Sequence, residues 1–262
     1  MACACLANMP RIGYTKNMEI LLQERRIRLR PRLFAAAELL QNAHTVADIG
    51  CDHGRLCAAL LQSGAAQRVI AADISPASVQ KAQALARLTG LTGRMDVRLG
   101  DGLFVLSPGE ADALTLCGMG GTLITELLAA APVPLMGARL AVFQPMRGVE
   151  DLRRYLFSHG FRIVRDVIVP DAGRLYQVFS AEPGRDELPD GWPADCFALG
   201  HRSLHDPHFP ALVKKMLTQH EKRLLSARGT GGQALLEQKA AHMRRVLELY
   251  NAAHPGKHDG NG

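Results

Sequence analysis

Apolar and polar positions change their period several times along the chain, and those changes divide it into elements. Residues 18–41 carry apolar side chains at helical spacing, which predicts one helix, or two broken at Pro31. Short apolar runs then alternate with amphipathic stretches. Strands are predicted over 45–50, 68–74, 96–99, 113–117 and 139–143, with helices over 56–62, 76–89, 122–130 and 149–158. Residues 161–169 and 175–181 read as two strands around Asp171-Ala-Gly173, a hairpin signal. Strands that alternate with helices imply a parallel sheet covered on both faces. The closing hairpin adds one antiparallel strand, for seven in all.

Residues 184–208 are rich in Pro, Gly, Asp and His and read as a linker. Beyond it, Phe209, Val213, Met216, His220 and Leu224 keep helical spacing, and a Gly turn follows at 228–232. Leu236, Ala240, Met243, Leu247 and Tyr250 then step by four and three, like a heptad seam. The expected fold class is α/β, a Rossmann-like seven-stranded sheet followed by an antiparallel helical hairpin of coiled-coil type. The expected division is a flexible tail over 1–17, a main domain over 18–183, the linker over 184–208, the hairpin over 209–253 and a disordered tail over 254–262.

Composition narrows the class. With 47% apolar and 21% charged residues, a packed soluble protein is expected. Lys and Arg outnumber Asp and Glu by 31 to 25, which permits a polyanionic partner without demanding one. The six cysteines, Cys3, Cys5, Cys51, Cys57, Cys117 and Cys196, form no CxxC pair, so no metal site is expected. The most apolar stretch, 127–143, is interrupted by Pro132, Pro134 and Arg139, which argues against a membrane span. The first residues lack a basic leader, and a cytoplasmic protein is expected.

In an open parallel sheet, ligands bind beyond the carboxyl ends of the strands. Four motifs fall there. After the first strand comes Asp48-Ile-Gly50-Cys51-Asp52-His53-Gly54, whose glycines allow a tight turn and whose Asp48 suits a cationic amino group. Asp73 ends the second strand, where a carboxylate accepts hydrogen bonds from ribose hydroxyls. Gly100-Asp101-Gly102 follows the third, where a carboxylate suits an exocyclic adenine amine. Cys117-Gly118-Met119-Gly120-Gly121 follows the fourth. Singly, Asp73 is equally suited to capping the helix near Pro76, and Asp101 to making a turn. Together the acids suit an adenosine bearing an amino-acid cation better than a dinucleotide. The first loop has Arg55 where a third dinucleotide-binding glycine would stand.

These acids and the predicted sheet resemble class I S-adenosylmethionine-dependent methyltransferases. More narrowly, Asp-Ile-Gly-Cys-Asp-His-Gly-Arg-Leu over 48–56, the Gly-Met-Gly-Gly turn, Gln144-Pro145, Leu175-Tyr176 and Ala181-Glu182-Pro183 resemble the bacterial tRNA adenine-22 N1-methyltransferases. The resemblance covers residues 29–183, and the hairpin in architecture alone; Met146 stands where that family often has a small polar residue. It implies S-adenosylmethionine as cofactor and tRNA as partner. Asp48, Gly50, Cys51, Asp52 and His53 would surround the methionine part, Asp73 and Ile74 the ribose, and Asp101 and Gly102 the adenine. Cys117 and Gly118 would face the sulfonium.

Adenine N1 has a free lone pair, so its methylation needs no general base. The ring becomes cationic, and Asp52 or the carbonyls over 118–121 are candidates to stabilise it. Met119 is a candidate to pack against the base, with a core position as the alternative. RNA contact is expected from Arg25, Arg26, Arg28, Arg30 and Arg32 and from the hairpin. Residues 201–250 hold nine Lys or Arg against four Asp or Glu. The residues leave other readings open: a different RNA base, a small molecule or a protein as substrate, or a module that binds the cofactor without catalysis. They leave the oligomeric state open too.

Overall fold

The computed structural model describes residues 27–40, 42–226 and 232–255. The tail expected over 1–17, Arg25 and Arg26, the turn at 228–231 and residues 256–262 lie outside them. The elements run α1 (Pro31–Leu39), β1 (Ala43–Ile49), α2 (Arg55–Ser63), β2 (Ala66–Asp73), α3 (Pro76–Leu88) and β3 (Met95–Leu99). Then come β4 (Ala113–Cys117), α4 (Gly121–Ala130), α5 (Pro132–Gly137), β5 (Leu140–Gln144) and α6 (Val149–Ser158). The hairpin strands β6 (Phe161–Asp171) and β7 (Arg174–Pro183) and the helices α7 (Phe209–Ser226) and α8 (Gln233–Ala253) complete the order.

The seven strands form one sheet in the order β3-β2-β1-β4-β5-β7-β6. All pairs through β5 are parallel, and β7 runs antiparallel between β5 and β6. Side chains alternate faces along each strand. Val46, Val69, Ala71, Ala113 and Val142 therefore enter one core beneath α1, α2 and α3. Ala47, Ile49, Ile70, Leu114, Leu116 and Phe143 enter the other, with Ile124, Leu128 and Leu152 of α4 and α6. Strands buried on both faces read as continuous apolar runs, which is why the sequence shows them clearly. The strand order reverses between β1 and β4, so their carboxyl ends part and open a crevice.

Two expectations are corrected. Residues 27–30 are not helical; the helix begins at Pro31, whose ring suits a first helical position. Residues 184–208 are no slack tether. They have one short 3-10 turn, yet bury Trp192, Cys196 and Leu199 with Phe209, Val213, Met243, Val246 and Tyr250 in a third core against Ile168 of β6. The helices are antiparallel: Phe209 at the start of α7 stacks on Tyr250 near the end of α8, ring centres 5.8 Å apart. Arg153 of α6 lies under this layer, its guanidinium donating to Asp166 at 2.6 Å and to Gln177 at 2.8 Å.

Candidate cofactor and active site

The first loop turns back over the sheet through three residues with positive φ: Gly50 (76°), Asp52 (49°) and Gly54 (67°). The Gly50 and Cys51 N–H groups donate to the Ala72 carbonyl at 2.8 and 3.0 Å, which sews the loop to β2. Asp73 completes the seam. One of its oxygens accepts the Asp52 N–H at 2.9 Å and the other the Ser75 N–H at 2.9 Å. The helix cap is Ser75 itself, which accepts from Ser78 N–H, so Asp73 is not spent on capping. Each carboxylate oxygen has a second lone pair, which remains for a ligand hydroxyl.

Asp48 is only 3% exposed and accepts the Cys57 thiol at 3.1 Å. Burial raises its carboxyl to about 6, against the lowering effect of that thiol, and neighbouring Asp73 adds to the rise. A buried carboxylate so easily protonated is poorly compensated by the protein alone. A cation arriving above it would relieve that cost. Burial also pushes Cys117 up to about 12, and Cys51 and Cys57 upward. These three side chains are neutral thiols, packing groups rather than nucleophiles.

Asp52 sits at the loop tip with its side chain 74% exposed, its carboxylate 3.3 Å from His53 Nε2. The same nitrogen lies 3.0 Å from Lys81 Nζ on α3, a neighbour that motif reading missed because it comes from the next helix. Gly100 N–H donates to the Asp73 carbonyl at 3.1 Å, bringing the third loop alongside the second. Asp101 then opens the 3-10 turn Gly102–Val105. Ile74, Leu99 and Phe104, which are 66%, 57% and 67% exposed, flank these acids as an apolar apron. Large apolar side chains left bare beside convergent acids suit a flat heteroaromatic ring.

After β4, two loops zip together. Met119 accepts from Met146 N–H at 2.8 Å, Gly118 N–H donates to Gln144 at 3.0 Å, and Gly121 N–H donates to Arg147 at 2.7 Å. A Cβ on Gly121 would overlap the Gly148 carbonyl, so only glycine lets the loops close. The candidate carbonyls over 118–121 are thereby reduced. Met119, Gly120 and Gly121 accept from Met146, Ile124 and Thr125, while Gly118, with φ of 79° and open space about it, has no such donor among the described residues. Met119 packs at the edge of the second core, its methyl 2.5 Å from where a Gly50 Cβ would lie. It is partly buried there and lies beneath the first loop.

Two of the N-terminal arginines have partners within the protein. Arg30 and Arg32 pair with Asp171 of the β6–β7 hairpin at 3.0 and 3.3 Å, and Arg32 also donates to buried Gln144 at 3.2 Å. They tie α1 across the sheet. Among the described residues, no group of three or more His, Cys, Asp or Glu could hold a metal ion, and no helix is long and apolar enough to cross a membrane.

A family model described as a methyltransferase domain matches residues 29–179. The tRNA (adenine(22)-N(1))-methyltransferase of Bacillus subtilis (strain 168) is 36% identical over 166 residues, 63% of this chain and 70% of that protein. The solved structure of the B. subtilis m1A22 tRNA methyltransferase TrmK is 27% identical with a TM-score of 0.73, covering 86% of this chain and 98% of the other. A Streptococcus pneumoniae protein solved in complex with S-adenosyl-L-methionine is 27% identical with a TM-score of 0.72, covering 82% of this chain and 98% of the other. Its fold, its strand-end acids and this kinship agree: the chain belongs to the bacterial tRNA (adenine(22)-N(1))-methyltransferase family.

Proposed function

We propose that this chain transfers the methyl group of S-adenosylmethionine to N1 of an adenine in tRNA, of the position-22 type, in the cytoplasm. The observation that carries the reading is the seam of strand-end loops beside the reversal of strand order, where the Asp73 carboxylate accepts the Asp52 N–H and the Asp73 carbonyl accepts the N–H of Gly100, next to Asp101. S-adenosylmethionine, when bound, supplies an electrophilic methyl on a sulfonium. Asp73 accepts the ribose hydroxyls, Ile74 and Phe104 pack on the adenine, and Asp101 accepts its amine. Asp48 supplies the negative charge beneath the amino-acid end, with the loop backbone of Gly50–His53 between them.

Adenine N1 offers a lone pair and no proton, so the residues must align and exclude water rather than remove a proton. Alignment of this kind supplies roughly 7–11 kcal/mol of the barrier. As the base becomes cationic, the unclaimed Gly118 carbonyl is the acceptor we favour, with the Asp52 carboxylate as the second group at the mouth. N1 lies on the pairing edge, so the target base must leave its helix to react.

The helical hairpin supplies RNA contact. Lys239 of α8 pairs with Glu150 at the start of α6 at 2.7 Å, on the end of the sheet where the crevice opens. Near its end α7 carries exposed Lys222 and Arg223. The test is radiolabelled methyl transfer onto unmodified tRNA with the product nucleoside identified by mass spectrometry. Labelled 1-methyladenosine is expected; label in another nucleoside, or in none, overturns the reading.

A further inference from the structure

Far from the hairpin, three arginines from three different elements converge on one open cleft. Arg68 comes from the start of β2, Arg87 from the last turn of α3, and Arg94 from the turn before β3. With Gln83, Thr92 and Gly93 they line a groove of about 390 Å³ at the β3 edge of the sheet. All three are exposed, and none has an acidic partner among the described residues. The one acid in the groove, Asp96, is already taken: Arg98 donates to it from Nε at 2.9 Å and from Nη2 at 2.7 Å.

Arg87 alone has an ordinary explanation, since a cation is favourable at a helix C-terminus. That does not account for Arg68 and Arg94, which bring two further like charges to the same groove at an electrostatic cost. An anion offers what the protein does not. Guanidinium forks match phosphate oxygens in pairs, and threonine and backbone N–H groups add neutral donors.

We propose that this cleft grips the phosphate backbone of the RNA substrate, as a second anchor on the sheet edge opposite the hairpin. The proposal rests on the functional reading above. Arg68 stands five residues before Asp73 on β2, so the cleft lies roughly 17 Å from the cofactor end of that strand. A folded RNA held by the hairpin at one edge reaches the other while presenting a base to the crevice. Such contacts set orientation and affinity, not sequence.

The experiment compares wild type with the triple variant Arg68→Gln/Arg87→Gln/Arg94→Gln, and with Arg87→Glu alone, after thermal melts show both variants folded. Steady-state methylation of a tRNA transcript is measured from low to moderate salt, together with calorimetric cofactor binding. Expected for the triple variant is a KM for tRNA about tenfold higher and a salt-dependence slope of log affinity shallower by about two, with kcat and cofactor affinity unchanged. Arg87→Glu should shift the KM in the same direction. An unchanged KM and slope, with wild type active on tRNA, overturns the anchor and leaves the functional reading intact. Inorganic pyrophosphate titrated alone forms a further arm: binding lost in the triple variant while the tRNA KM holds would show a small-phosphate site and overturn the RNA assignment. If wild type methylates no tRNA, the functional reading falls, and the salt slope of RNA binding still judges the cleft.

Discussion

Asp73 accepts the backbone N–H of Asp52 at 2.9 Å, so the acid that closes the second strand also holds the tip of the loop after the first. On the proposed reading of the pocket, one side chain thus links ribose recognition to the shape of the methionine-side loop.

Asp73→Asn should therefore weaken cofactor binding by more than the loss of one contact. Hydrogen bonds to a charged group contribute about 1.5–3 kcal/mol each. A loss of at least about thirtyfold in affinity is expected by calorimetry, with a melting temperature lowered by a few degrees. Unchanged affinity would remove Asp73 from the pocket.

The Asp48 carboxyl, raised from 3.8 to about 6 by burial, makes both stability and binding depend on pH. Its ionisation opposes folding: stability falls as pH rises from about 4 to about 6, by on the order of 3 kcal/mol for two pK units. Binding has the opposite sign. The cationic end of the cofactor favours the carboxylate, so affinity should fall as pH drops below about 6. Asp48→Asn should be more thermostable at pH 8 than wild type, and bind the cofactor more weakly. A variant with lower stability and full affinity would contradict both halves of this account.

Gly118 and Gly121 are expected to respond differently to alanine. Gly118→Ala meets open space and carries only the strain of a left-handed backbone, about 1–2 kcal/mol. Gly121→Ala drives a Cβ into the Gly148 carbonyl and must part the β4 and β5 loops. Denaturant melts and single-turnover rates should show Gly121→Ala as the more damaging on both counts; equal effects would mean the loops are not clasped.

The Arg153–Asp166 pair is buried, with side chains 4% and 0% exposed at 2.6 Å. Removing one partner of such a pair costs about 3–5 kcal/mol, because the other charge stays behind without compensation. Arg153→Met should lower the melting temperature sharply and loosen the segment that seats the hairpin, measurable by hydrogen exchange at residues 192–204. Arg153→Met/Asp166→Leu should recover most of the loss. No recovery would place the cost in packing alone.

Local pattern was enough to read the body of this protein. Strands buried on both faces leave unbroken apolar runs, and a binding loop at a strand end must carry glycines and acids within a few residues of each other. The placement of Asp48, Asp73, Asp101 and the turn at 117–121 near successive strand ends was legible because the sheet's own geometry spaces such positions one per strand. Pairings between distant segments have no such signature. Nothing near Arg32 announces Asp171, nothing near His53 announces Lys81, and no motif says that the Gln144–Gly148 loop occupies the Met119 carbonyl and leaves that of Gly118 free. The same holds for residues 184–208, whose Pro and Gly content reads as slack chain although Trp192 and Cys196 are core. Composition reports what a segment can avoid locally, while burial depends on which surfaces the rest of the chain brings to it.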